Sequence, residues 1–224
     1  MGKHLKILGL SLLALVAVMA VNASASQAAT WVLKEGGVEK TSITAAIKAP
    51  SGHLLVPGLG IDIECSSGSG SVTASGGKTE TLTGSGEITY TGCKDVNFKT
   101  CTVRSEPAGT PKGTIIAKGS GTGFMESTKT LAKLASKAGS PFTTVVYEGA
   151  ECPLTEVDGT VTGFVDVEIV EAATDSAIHT GVVQKQGLEF GEELATLESA
   201  TGSTKPTVEL IGPGGTTTLG VSLK

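Results

Sequence analysis

Apolar and polar residues alternate repeatedly along the chain, and glycine clusters interrupt the alternation. Ile61, Ile63 and Cys65 alternate with two acidic residues, and residues 161–170 have the same period. A period of two is typical of a strand with one buried face. These strand-sized pieces recur about every ten residues, which predicts an all-β fold, an antiparallel sandwich or a barrel-like domain. Further predicted strands are 71–74, 80–83, 87–91, 113–118, 143–148, 181–186 and 207–211.

Two stretches depart from this alternation. Residues 127–138 place Leu131 and Leu134 at helical spacing, and residues 189–199 place apolar residues at i, i+4 and i+7, with Leu194 in the middle. Short apolar runs do not decide between the two periods, so each stretch is open between a short helix and an irregular strand. The fold prediction therefore allows at most one or two short helices.

The first 25 residues have the features of a signal peptide. Lys3 and Lys6 begin it, a nearly unbroken apolar run follows over 7–21, and Ala23 and Ala25 fit the small-residue cleavage pattern. Cleavage there leaves 26–224 as a single exported β-rich domain, and an uncleaved anchor is the alternative. We expect the chain to be secreted or at the cell surface, without a stable membrane span once the signal peptide is removed.

Four cysteines in an exported chain predict two disulfides. Seven residues separate Cys93 from Cys101, which favours a local loop closed by that pair and leaves Cys65 for Cys152. The sequential pairing, Cys65–Cys93 with Cys101–Cys152, is the alternative. Zinc sites usually contain two cysteines two to four residues apart, and the sequence has no such pair.

The composition of the chain limits the classes of molecule that it is expected to bind. The 224 residues include 31 glycines, and 17 basic against 22 acidic residues give a net charge of −5. An acidic chain with the single arginine Arg104 is a poor binder of nucleic acid, because phosphate contacts need clustered Lys and Arg. A hydrophobic fraction of 39% favours a packed core over disorder.

Motifs that would carry chemistry are incomplete. Gly77-Lys78-Thr79 lacks the earlier glycine of a phosphate-binding loop, and Gly68-x-Gly70 and Gly84-x-Gly86 each lack the third glycine of a dinucleotide fingerprint. His53 and His179 are isolated, and no serine lies in a nucleophile elbow. We therefore assign no catalytic, cofactor-binding or metal residue and expect no cofactor.

Short motifs spread over residues 1–170 carry a resemblance. They are residues 29–33, 63–65, 90–93, 101–103 and 113–115. With these motifs the chain resembles uncharacterised small exported β-rich proteins of Gram-positive-type bacteria, which have a signal peptide, a tryptophan just after cleavage and a cysteine-bearing β domain. The resemblance implies export and the fold class, and it implies no activity.

The sequence favours an exported non-catalytic protein with a structural, cell-surface or binding role and an unknown partner. One alternative is a secreted hydrolase with an unrecognised site, which a pocket holding His53 or His179 beside Ser and Asp would favour. The other is a carbohydrate- or ion-binding module, which needs exposed aromatic residues or clustered carboxylates. Glu189, Glu192 and Glu193 form an acidic stretch, but they lack the pattern of a calcium loop.

Overall fold

A computed structural model describes residues 29–106, 109–136, 140–157, 159–170, 172, 176–212 and 217–223. The predicted signal peptide, residues 1–25, lies outside these ranges. The described residues form strands and one short 3₁₀ helix, Pro57–Leu59. The strands are β1 (Ala29–Glu35), β2 (Val38–Lys40), β3 (Ser42–Ala49), β4 (Gly52–Val56), β5 (Ile61–Cys65), β6 (Ser67–Ser75), β7 (Leu82–Thr91), β8 (Lys94–Asp95), β9 (Thr102–Ser105), β10 (Ile115–Glu126), β11 (Lys129–Ala135), β12 (Thr143–Glu148), β13 (Thr160–Ile169), β14 (Ile178–Phe190), β15 (Glu193–Ser199), β16 (Thr207–Ile211) and β17 (Thr217–Leu223).

Eight of these strands close into an antiparallel barrel. Around the ring the order is β3, β6, β7, β10, β11, β13, β14 and β16, and β16 pairs with β3 to complete it. Buried residues alternate with exposed ones along β3, so one face of the strand points into the barrel. The predicted all-β, antiparallel and barrel-like fold is confirmed.

Four insertions into the ring build a cap over one end of the barrel. The links from β3 to β6, β7 to β10, β11 to β13 and β14 to β16 carry the extra strands. Because successive strands of the ring run in opposite directions, these four links leave the same end. In the cap, β8, β5, β4 and β15 pair in that order, and β9 pairs with β12. Apolar residues of the cap, including Val56, Ile61, Ile63 and Val103, are fully or almost fully buried.

Both disulfides lie in the cap, and the favoured pairing of the cysteines was wrong. The bonds are Cys65–Cys93 and Cys101–Cys152, with Cα atoms 4.0 and 4.8 Å apart. β5 pairs with β8, which brings Cys65 beside Cys93, and β9 pairs with β12, which brings Cys101 to the turn that holds Cys152. Which cysteines meet depends on the pairing between strands of different insertions, so the spacing of the cysteines along the chain does not predict their partners.

A small sheet of β17, β1 and β2 covers the other end of the barrel. Trp31 and Leu33 of β1 are 5% and 1% exposed, and both belong to one buried apolar cluster with Ile43 and Leu82 of the barrel wall. The backbone of Trp31 also bonds to the turn between β6 and β7, through Thr79 at 2.9 Å and Lys78 at 2.8 Å. These apolar contacts and backbone hydrogen bonds hold β1 at this end of the barrel, and we call β1 the plug.

The two stretches left open between helix and strand are strands. Residues 127–138 contain β11, residues 189–199 contain β15, and two-residue turns join these strands to β10 and β14. Leu194 is 76% exposed, so the stripe at helical spacing is not a buried face. Residues 137 and 138 lie outside the described ranges. Along the described ranges, no helix has the length and apolar character needed to cross a membrane.

Candidate functional site

The interior of the barrel contains a cavity of about 340 Å³. This volume lies within the range of ligand pockets, which is roughly 300–1,000 Å³. An eight-stranded barrel is just wide enough either to be filled by its own side chains or to hold one small ligand. The size of the inward-facing residues therefore decides whether such a barrel is solid or hollow.

Glycines make one wall of the cavity. Gly84 and Gly86 face inward on β7, and they pair across the ladder with Gly121 and Gly119 of β10. Inward-facing positions of small barrels usually carry larger side chains, which fill the interior. Their absence leaves the space open beside these two strands.

Close packing requires some of these glycines but not Gly84. A Cβ atom on Gly121 would overlap the backbone of Lys133, and one on Gly119 would lie 3.0 Å from the Phe142 ring. A Cβ atom on Gly84 would have one neighbour within 4 Å, the carbonyl oxygen of Thr73 at 3.4 Å, which is an ordinary contact. Gly84 therefore leaves cavity volume that the fold itself would allow a side chain to fill.

The facing wall consists of branched apolar side chains from β13, β14, β16 and β3. They are held in place by the closed ring and contribute no charge to the cavity. These residues are Val165, Val167, Ile169, Val183, Leu188, Val208, Leu210 and Ile47. Lys118 also borders the cavity, but its side chain is 70% exposed, and its ammonium group lies 3.0 Å from the Glu87 carboxylate on the outer face.

The cavity reaches half-buried polar residues at the cap end. Ser51, His53 and Glu198 line it there, between the turn that joins β3 to β4 and the link from β15 to β16. The Gln186 side chain holds this link. Its amide nitrogen donates to the carbonyl oxygens of Leu197 and Thr204 at 3.0 and 3.1 Å, and its amide oxygen accepts from the Leu197 N–H at 2.8 Å. We take this polar rim as the mouth of the cavity.

Of the two histidines considered for a hydrolase, His53 lies at the cavity. Its Nδ1 is 2.7 Å from Oδ1 of Asp62, and both side chains are 22% exposed. This pair is the oriented half of a hydrolytic triad, which also needs a nucleophile bonded to the second ring nitrogen. The cavity therefore holds His53 beside Ser51 and Asp62, as the hydrolase alternative requires, but no contact in the described ranges joins a serine hydroxyl to the imidazole.

His179 and the acidic stretch lie away from the cavity. His179 is 2% exposed on β14, opposite Leu210 of β16. Glu189, Glu192 and Glu193 are exposed around the turn from β14 to β15. No three His, Cys, Asp or Glu side chains of the described ranges come together as a metal site requires. The backbone of the turn 77–79 forms hydrogen bonds with the backbone of Trp31, so this turn helps to hold β1 in place, and we assign it no phosphate-binding role.

One of the two tyrosines lies in the barrel interior and the other lies in the core of the cap. Tyr90 of β7 lines the cavity, and burial raises the pKa of its phenol. Tyr147 is 4% exposed in the cap, and its hydroxyl donates to Oδ2 of Asp95 at 3.4 Å. Burial raises the pKa of Tyr147, and the Asp95 charge and this hydrogen bond raise it further.

Alkaline titration is expected to release both phenolic protons only when the protein unfolds. The unfolded chain loses them near the ordinary tyrosine pKa of 10, while the folded protein keeps them. The unfolded state then binds fewer protons, so the free energy of unfolding falls as pH rises above about 10. Phenolate absorbance and circular dichroism, recorded in one titration, should change together. A phenolate signal near pH 10 from protein with an intact β spectrum would show that this reading of the interior is wrong.

No protein-family profile matches the chain, and no curated protein or solved structure shows detectable similarity to it. The case for a function therefore depends on the cavity and its residues.

Proposed function

We propose that this protein is an exported, non-catalytic binding protein that holds one small apolar molecule inside its barrel. The observation that carries the proposal is the apolar cavity of about 340 Å³ beside a wall of glycines. The signal-peptide features support export, and the two disulfides are typical of an oxidising compartment.

The size and lining of the cavity define the class of ligand. An engineered apolar cavity of about 150 Å³ stays dry and binds benzene. By proportion, this cavity accommodates roughly 14 non-hydrogen atoms. Its walls are mostly hydrocarbon, so transfer of an apolar molecule from water is favourable by about 25 cal/mol per Å² of buried surface.

A purely structural role explains the cavity less well. Empty apolar volume destabilises a protein by about 24 cal/mol per Å³, so a cavity of this size costs several kcal/mol. A leucine at Gly84 would recover part of that stability without backbone overlap. A carbohydrate-binding role lacks its usual surface, since Trp31 and Tyr147 are buried and Tyr90 lines the cavity.

A neutral fluorescent aromatic amine tests the proposal. We expect 1-aminoanthracene, which matches the cavity in size, to bind one molecule per chain with a Kd of roughly 1–100 µM. Its emission should rise and shift to the blue as it leaves water, and tridecane should displace it. Protein denatured in guanidinium serves as the control for unspecific partition. A folded protein that gives only a linear, non-saturating signal would contradict the proposed function.

A further inference from the structure

The phenolic hydroxyl at the cavity has no partner within the described ranges. Thr143 shares a 2.8 Å hydrogen bond with Ser105, and Thr130 donates to the Met125 sulfur at 3.5 Å. The hydroxyl of Tyr90 makes no hydrogen bond to any residue of the described ranges. A phenolic hydroxyl that faces an apolar cavity without a partner is unfavourable, because most polar groups inside proteins are satisfied.

The surroundings hold the Tyr90 ring at the wall of the cavity. Gly68 and Ile115 lie opposite Tyr90 on the two neighbouring strands. A Cβ atom on Gly68 would lie 2.8 Å from the ring, so the glycine at that position makes room for it. The ring therefore lies against the backbone of β6, and a group inside the cavity can meet its hydroxyl without displacing another bond.

We infer that the ligand is a neutral, mostly hydrocarbon molecule with one oxygen atom, such as a long-chain ketone or alcohol, and that the Tyr90 hydroxyl anchors that oxygen. The inference rests on the proposed function and specifies its ligand. A phenol donates to a carbonyl oxygen, and with a hydroxyl it both donates and accepts. One polar contact in an apolar pocket fixes the orientation of the ligand.

The charges near the cavity favour a neutral ligand over a fatty acid. The Lys118 ammonium group pairs with Glu87 on the outer face, and His53 pairs with Asp62 at the mouth. Both groups already bond a carboxylate, and the neighbours of Tyr90 on the inner face are the apolar residues Ala117 and Ile88. A carboxylate buried there would lack a counter-charge, which is strongly unfavourable.

A matched pair of ligands and a matched pair of variants test the inference. 2-Dodecanone and tridecane have the same number of non-hydrogen atoms, and only the ketone accepts a hydrogen bond. Tyr90→Phe removes the cavity hydroxyl, and Tyr147→Phe removes the other phenolic hydroxyl, in the cap. Each ligand competes against 1-aminoanthracene, whose Kd is first measured separately for the parent and each variant.

Tyr90→Phe should weaken 2-dodecanone about fivefold, the worth of one ordinary hydrogen bond, and leave tridecane within twofold. Tyr147→Phe should change neither ligand. Laurate should bind the parent at least tenfold more weakly than 2-dodecanone. The inference is overturned if Tyr90→Phe weakens both ligands equally, if it weakens neither, or if laurate is preferred. Failure of both neutral ligands to bind the parent would instead overturn the proposed function.

Discussion

Removal of either disulfide is expected to lower the free energy of unfolding by roughly 4 kcal/mol. The half-cystines are 28 residues apart in Cys65–Cys93 and 51 apart in Cys101–Cys152. In the chain-entropy treatment, cross-links over loops of these lengths stabilise by roughly 3.5 and 4 kcal/mol. The two loops do not overlap along the chain, so we expect the two effects to add.

The position of the disulfides strengthens this expectation. Cys65–Cys93 joins the first insertion to the second, and Cys101–Cys152 joins the second to the third. Without them, β8 and β9 are held in the cap by short ladders only. Loss of the cross-links should therefore loosen the cap before the barrel opens.

Denaturant unfolding of Cys65→Ala/Cys93→Ala and Cys101→Ala/Cys152→Ala measures the effect. Chemically reduced parent protein is the control, because it keeps all the sulfur atoms and loses only the covalent links. Both double variants and the reduced parent should unfold at clearly lower denaturant concentration than the oxidised parent. Equal midpoints for the oxidised and the reduced parent would contradict the account.

Local patterning in the sequence predicted most strands. β5, β12 and β16 have the bounds that alternation gives, and β13 is displaced by one residue. In these strands one face packs inward and the other is more exposed, so the period of two is visible without tertiary information. The same reasoning cannot choose between a sandwich and a barrel, because closure depends on pairs such as β16 with β3 that lie far apart in sequence.

Non-local pairing also explains the wrong disulfides, and a tight turn explains why 189–199 was undecided between helix and strand. The partner of Cys93 is set by the β5–β8 ladder, which joins two separate insertions. In 189–199, Gly191 and Glu192 form a turn, so an apparent helical stripe is divided between two strands. Apolar residues on both sides of a tight turn can imitate helical spacing over so short a run.

The glycine wall of the cavity has a signal in the sequence, which a search for known motifs does not detect. Gly84-x-Gly86 was compared with a dinucleotide fingerprint, but the same spacing places two glycines on one face of a strand. Residues 119, 121 and 123 repeat the pattern on β10. Glycine at inward positions of two neighbouring strands predicts missing side-chain volume, whereas the contribution of Tyr90 depends on where its neighbours lie in three dimensions.

Gly84→Leu is expected to abolish most ligand binding while it stabilises the empty protein. The side chain adds four carbon atoms to a cavity that holds roughly 14, and overpacking of this kind costs typically 1–3 kcal/mol. We expect the Kd for 1-aminoanthracene to rise at least about thirtyfold, equivalent to about 2 kcal/mol. The free energy of unfolding should rise by about 1–2 kcal/mol, because the leucine is buried and a strand glycine is removed.

Ser85→Leu is the matched control for this variant. Ser85 is the next residue of β7 and is exposed on the outer face, so the same side chain is added outside the barrel. Side-by-side titration of the parent, Gly84→Leu and Ser85→Leu with 1-aminoanthracene tests whether the barrel interior is the binding site. The account predicts a Kd within twofold of the parent for Ser85→Leu and a loss of at least about thirtyfold for Gly84→Leu. Parent-like binding by a folded Gly84→Leu variant, or an equal loss in both variants, would contradict it.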